Sequence, residues 1–149
     1  MNTQARVLDR VSLEAQLFGV LRTDGNNTKG VSFSPKLIIW EKPNIRVGYQ
    51  FNAADSDQNP DAYYAPQEYY NHMAVMDASV EIFENFSING MYGYGTAISK
   101  DKDWENVTRY GGGFTMAIAQ SLNIQGNYQH LQLPSYTLDQ YSLGVQYIF

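Results

Sequence analysis

The side chains best equipped for chemistry are seven charged residues spread along the chain: Glu14, Arg22, Lys36, Arg46, Asp77, Glu81 and Arg109. Asp77 and Glu81 form the one carboxylate pair that invites an acid–base reading. The sequence sets no nucleophile, base and oxyanion donor beside them, so no enzyme activity is expected. Both signs occur among the seven, which suits a polar network that satisfies itself inside a solvated or salt-bridged interior. His72 and His130 each lack a second metal ligand at productive spacing, and His72 reads as a loop or rim residue. No metal or other cofactor is expected. Gly93, Gly95, Gly111 and Gly113 have no Lys, Ser or Thr nearby to complete a phosphate cradle, and read as room for close packing or curvature. Tyr63, Tyr64, Tyr69 and Tyr70 are a candidate glycan-binding lip. With Tyr110, Tyr128 and Tyr141 they read better as an interfacial girdle or loop packing, the lip being the alternative.

These residues sit in stretches that alternate with period two, the signature of strands with one apolar face. The clearest is the terminal segment, where Tyr141, Leu143, Val145, Tyr147 and Phe149 share one parity against Ser142, Gly144 and Gln146. About 9 to 11 such residues with aromatic ends fit the demand of a strand that crosses a membrane. Seven further stretches behave alike, beginning near Val11, Val31, Ile45, Asn71, Phe86, Arg109 and Leu122. The seven charged residues fall on the parity opposite the apolar face, together with the Asn and Gln row Asn123, Gln125, Asn127 and Gln129. Pro35 interrupts one ladder and is expected at an edge or bulge.

The connections alternate in length. Short turns at Glu41–Asn44, Glu84–Asn85 and Gln120–Ser121 separate longer ones around residues 23–30, 54–70, 99–108 and 130–140. Barrels of the outer membrane have short periplasmic turns and longer outer loops, and a soluble meander has no reason to alternate so. The expected fold is therefore all-β: an antiparallel up-and-down transmembrane β-barrel of about eight strands, occupying residues 11–149 behind a lead-in or linker at 1–10. Its closed interior would be filled by the seven charged side chains. The alternative is a soluble lipocalin-like barrel that binds a small ligand.

Composition agrees with a membrane barrel. Charged residues are 17% of the chain, below the usual proportion of about 25%, and aromatics are 14%. The mean hydropathy of −0.40 is no obstacle, because only every second strand residue meets lipid. The absence of cysteine excludes disulfides and thiolate metal sites. A net charge of −5 without a basic cluster argues against nucleic-acid partners. Met1 to Arg10 is polar and shows no signal peptide, so the expectation is a mature chain or a piece of a larger protein, located in the bacterial outer membrane.

The run Tyr63-Tyr64-Ala65-Pro66-Gln67-Glu68-Tyr69-Tyr70, followed by strands that lead to a terminal aromatic, resembles the C-terminal barrel domain of bacterial outer-membrane exopolysaccharide exporters of the cellulose-synthase type. The resemblance covers about residues 63–149. It implies a barrel that elsewhere follows a periplasmic array of tetratricopeptide repeats and conducts a polymer through sixteen strands, twice the number read here. It also implies partnership with a polysaccharide synthesis or export complex. The array Tyr141, Leu143, Val145, Tyr147 and Phe149 is similar to the assembly signal read by the barrel-insertion machinery, which adds that machinery and the lipid bilayer as partners.

Overall fold

The computed structural model describes residues 2–8, 10–58, 67–133 and 137–147. Its strands are β1 (Asn2–Leu8), β2 (Val11–Val20), β3 (Thr28–Trp40), β4 (Asn44–Ser56), β5 (Tyr69–Phe83), β6 (Phe86–Ile98), β7 (Glu105–Ala119), β8 (Leu122–Gln132) and β9 (Thr137–Tyr147). All nine lie in one sheet in chain order, each antiparallel to the next. The eight expected strands are thus present as β2 to β9. A ninth precedes them: residues 2–8, read from the sequence as lead-in or linker, pair with β2 from Asn2↔Gln16 to Leu8↔Val11.

The connections alternate as expected. Those after β1, β3, β5 and β7 have two, three, two and two residues, and those after β2, β4, β6 and β8 have seven, twelve, six and four. The long ones mark the outer side of the membrane and the short ones the periplasmic side. Several strands run further into the loops than the sequence indicates, β7 starting at Glu105 and β9 at Thr137.

Pro35 lies on an internal strand, between β2 and β4, and not at an edge or bulge. It pairs with Leu13 on the β2 side, while the β3–β4 register jumps from Phe33↔Phe51 to Lys36↔Gly48 without slipping. The missing N–H therefore leaves a local gap in one ladder. Gly48 fits at that gap, since a Cβ there would come within 2.2 Å of the Pro35 carbonyl oxygen.

Two observations fix the shape. Cavity-lining residues come from Lys36 on β3 and from Gln140 and Ser142 on β9 around a single space of about 510 Å³. Six strand spacings would separate these strands by about 29 Å in a flat sheet, so the sheet is strongly curled with this parity inside. Yet among the described residues β1 and β9 do not pair. The molecule is a curved, open wall and not a closed cylinder.

Its apolar side chains face outward. Among the described residues only Met73, Val75, Ala97 and Val107 are buried hydrophobics, whereas Leu17, Leu37, Ile39, Tyr141, Leu143 and Val145 are each about half exposed or more. The accessible surface of 10200 Å² exceeds the roughly 7,700 Å² expected of a soluble globular chain of this mass. A soluble barrel would not leave so broad an apolar face to water. Lipid is the natural solvent for it.

Candidate functional site

The inward face carries the polar residues and three cavities that share lining side chains. The largest, of about 510 Å³, is bounded by Lys36, Arg46, Asp77 and an amide row that includes Asn89, Asn127 and Gln140. A second, of about 280 Å³, shares Lys36 and Asp77 with it and adds Glu14, Gln50 and Arg109. The third, of about 430 Å³, shares Gln50 and Arg109 and reaches the outer end at Arg22, Tyr69 and Leu131.

At the centre, Asp77 on β5 holds two cations. Its Oδ1 accepts from Lys36 Nζ on β3 at 3.0 Å, and its Oδ2 lies 2.8 Å from Arg46 Nε on β4. The register Arg46↔Asp77 puts the second pair directly opposite, and Lys36↔Gly48 sets the lysine one strand further away, reaching over a residue with no side chain. Arg109 on β7 donates through Nη2 to Gln129 Oε1 on β8 at 2.9 Å, while its Nε is buried without a hydrogen-bond partner.

Of the seven charged residues singled out in the sequence, Lys36, Arg46 and Asp77 are bonded together. Glu14 and Arg109 line the adjoining cavity. Arg22 sits at the outer end, where Nη1 donates to Asn26 O at 3.2 Å and to Thr28 Oγ1 at 2.8 Å. Glu81 is exposed near the periplasmic end of β5 and lies apart from the Asp77 group. Of the candidate lip, Tyr69 lines the inner cavity, Tyr70 is 46% exposed, and both border a further cavity of about 370 Å³ with Lys29, Asp55 and Glu68. Tyr63 and Tyr64 lie outside the described residues, as does Phe149. The other four residues of the terminal array, Tyr141, Leu143, Val145 and Tyr147, face outward on β9 and are exposed.

Two features escape a sequence reading. Met73, Val75, Ala97 and Val107 belong to the inward parity and form an apolar cluster with Tyr69, Leu131 and Leu133. At the outer end a polar clamp joins two loops: Asn26 Nδ2 donates to Gln58 O at 3.1 Å, Gln58 N donates to Asn26 Oδ1 at 2.8 Å, and Thr28 and Ser56 hydroxyls meet at 2.8 Å. Asn26 is 2% exposed. Nothing in the turn composition of residues 23–30 pointed to a partner more than thirty residues away.

On the outside, aromatic rings gather toward the loop end. Tyr128 lies 6.4 Å from Tyr110 and 4.9 Å from Tyr141 between ring centroids, and His130 stacks on Tyr110 at 4.6 Å. His130 Nδ1 and Tyr128 OH both reach Asp139 Oδ1, at 2.9 and 2.8 Å. His72 is likewise in a strand, bonded to the Tyr49 hydroxyl and ringed by Phe51 and Trp104. Amphipathic rings with polar partners are what a membrane–water interface selects.

A curled antiparallel meander, apolar outside and polar inside, matches the family model for the outer membrane protein beta-barrel domain over residues 8–149. The chain belongs to that family. Its location is the bacterial outer membrane. This barrel domain is also similar to a solved structure described as a bacterial polysaccharide outer membrane secretin, with a TM-score of 0.75 and 17% identity. The match covers 96% of this chain and 51% of that one, so the chain spans about half the length of its structural relative. Among curated proteins none matches the chain.

Proposed function

We propose that the chain is part of the wall of an outer-membrane channel that conducts a polysaccharide, and that on its own it is an anchor or scaffold that does not conduct. The observation that carries this reading is the open wall, lipid-facing outside and polar inside, with both edge strands unpaired to one another. Unsatisfied edges do not persist in hydrocarbon, so further strands must complete it. Closure at eight or nine strands would leave space for side chains or one small ligand only.

Strand direction limits what can complete the wall. With nine alternating strands, β1 and β9 run the same way. Joining them would make a parallel seam, whether within one copy or between copies related by rotation about the membrane normal. All-antiparallel closure therefore calls for an odd number of additional strands whose first and last run opposite to β9 and β1, a direction that a second copy rotated about the membrane normal does not offer. The relative whose description names a polysaccharide, matched over 51% of its length, supports a larger complete wall. The resemblance of Tyr63 to Tyr70 narrows the reading to exporters whose barrel follows tetratricopeptide repeats, in company with a synthesis or export complex. Within it, Glu14, Arg22, Lys36, Arg46, Asp77, Glu81 and Arg109 would line water, and Tyr141 to Phe149 would present the terminal array to the insertion machinery.

Single-channel recording on the purified chain in planar bilayers tests the reading. The expected result is no steady unitary current from the monomer, and stable currents once strands that complete the wall are co-refolded with it. Steady conductance from the monomer would contradict it.

A further inference from the structure

We propose that Arg109 is an anion-binding station on the inner face, and that its ligand is the carboxylate of an acidic saccharide unit. The inference rests on the channel reading and names the substrate class. Among the described residues Arg109 forms no ion pair; its one hydrogen bond goes to the neutral Gln129, and its Nε is buried without a partner. Asp77, which lines the same cavity, already holds Lys36 and Arg46. Glu14 lines the same cavity but does not pair with it. A guanidinium removed from water without a carboxylate is costly unless something else supplies the charge, and its planar fork suits a bidentate carboxylate.

The surroundings favour a sugar over a bare ion. The cavity of about 430 Å³ beside Arg109 sets Asn52, Gln50 and Gln129 against the apolar surface of Val107, Met73 and Leu131. Amides can exchange hydrogen bonds with hydroxyls, and the apolar wall can cover the C–H face of a pyranose. General basicity does not explain the charge: the chain carries −5 overall, yet among the described residues Arg22, Lys36, Arg46 and Arg109 line these cavities against Glu14 and Asp77. A cation-rich lining inside an acidic chain attracts polyanions and repels polycations.

Isothermal titration of the purified full chain in zwitterionic micelles tests this, with a hexameric galacturonate, maltohexaose, a glucosamine hexamer and inorganic phosphate as probes. The galacturonate is expected to bind best, to weaken as salt is raised, and to lose about tenfold or more in affinity in Arg109→Gln. Arg109→Lys should fall between, keeping the charge but not the fork. Unchanged galacturonate binding in Arg109→Gln would overturn the proposal, as would tighter binding of the glucosamine hexamer. Maltohexaose bound as tightly as galacturonate would overturn the anion station and leave the channel reading standing. Phosphate bound as tightly would overturn the saccharide assignment. Binding of no saccharide at all would overturn the station and the channel reading together. Should Arg109→Gln fail to fold, a salt-insensitive galacturonate affinity of the unaltered chain overturns the proposal equally.

Discussion

Replacing Asp77 by Asn probes the central charge group most directly. The carboxylate is 15% exposed and lies 3.0 Å from Lys36 Nζ and 2.8 Å from Arg46 Nε, themselves 14% and 32% exposed. The substitution keeps the shape and removes the charge, leaving two partly buried cations face to face. Removing one partner of a fully buried pair costs about 3–5 kcal/mol, and an exposed pair is worth at most about 1 kcal/mol. The partial exposure of Arg46 places this group between, at about 2 kcal/mol. Lys36→Met alone should cost less, because Arg46 still neutralises Asp77. The double variant should fall short of additivity by about 1 kcal/mol, since the residues share one network. Urea unfolding from vesicles, followed by the emission of the outward Trp40 and Trp104, reads all three. A change under about 0.5 kcal/mol for Asp77→Asn, or strict additivity in the cycle, would refute the claim that this carboxylate ties the two cations together.

Two glycines on β6 should respond differently to alanine. A Cβ at Gly95 would sit 1.7 Å from the His72 carbonyl oxygen, whereas at Gly90 the nearest atom is 3.8 Å away; Gly95→Ala should lose about 2 kcal/mol or more in urea unfolding and Gly90→Ala little. Leu143→Arg, on the outward parity at 77% exposure, should lose about 2–4 kcal/mol in vesicles while the neighbouring inward Ser142→Arg is nearly neutral, and the reverse order would invert the assigned faces. Deleting Phe149 should block assembly in cells and leave refolding into detergent largely intact, as followed by gel mobility without heating; equal loss of both would deny it a recognition role.

The outward face was legible because one solvent governs it: Leu13, Leu17, Phe33, Leu37, Val47, Ile88, Ile124 and Leu143 all meet lipid, so the same parity recurs in every strand. The inward face answers to its neighbours instead. Phe18, Val20 and Met73 break the alternation, and only the curl that brings β2, β5, β7 and β8 around one space gives them a common purpose. β1 was missed because residues 2–8 are only weakly patterned in sequence, while its ladder with β2 is a matter of backbone pairing. The grouping of Lys36 and Arg46 on Asp77 depends on register, which alternation alone does not set. Openness was equally hidden, since each strand reads the same in a closed barrel and in part of a larger one.

The clamp between the first two long loops bears on how this wall reaches its place. Loops destined for the outer side have to traverse a hydrocarbon layer, and every amide or hydroxyl still bound to water adds to that barrier. Asn26 and Gln58 exchange two hydrogen bonds with one another, and the Thr28 and Ser56 hydroxyls share one. Formed early, such mutual bonding ties the outer ends of the β2–β3 and β4–β5 hairpins together with fewer water-bound polar groups, so that the rim is as much a travelling arrangement as a finished edge.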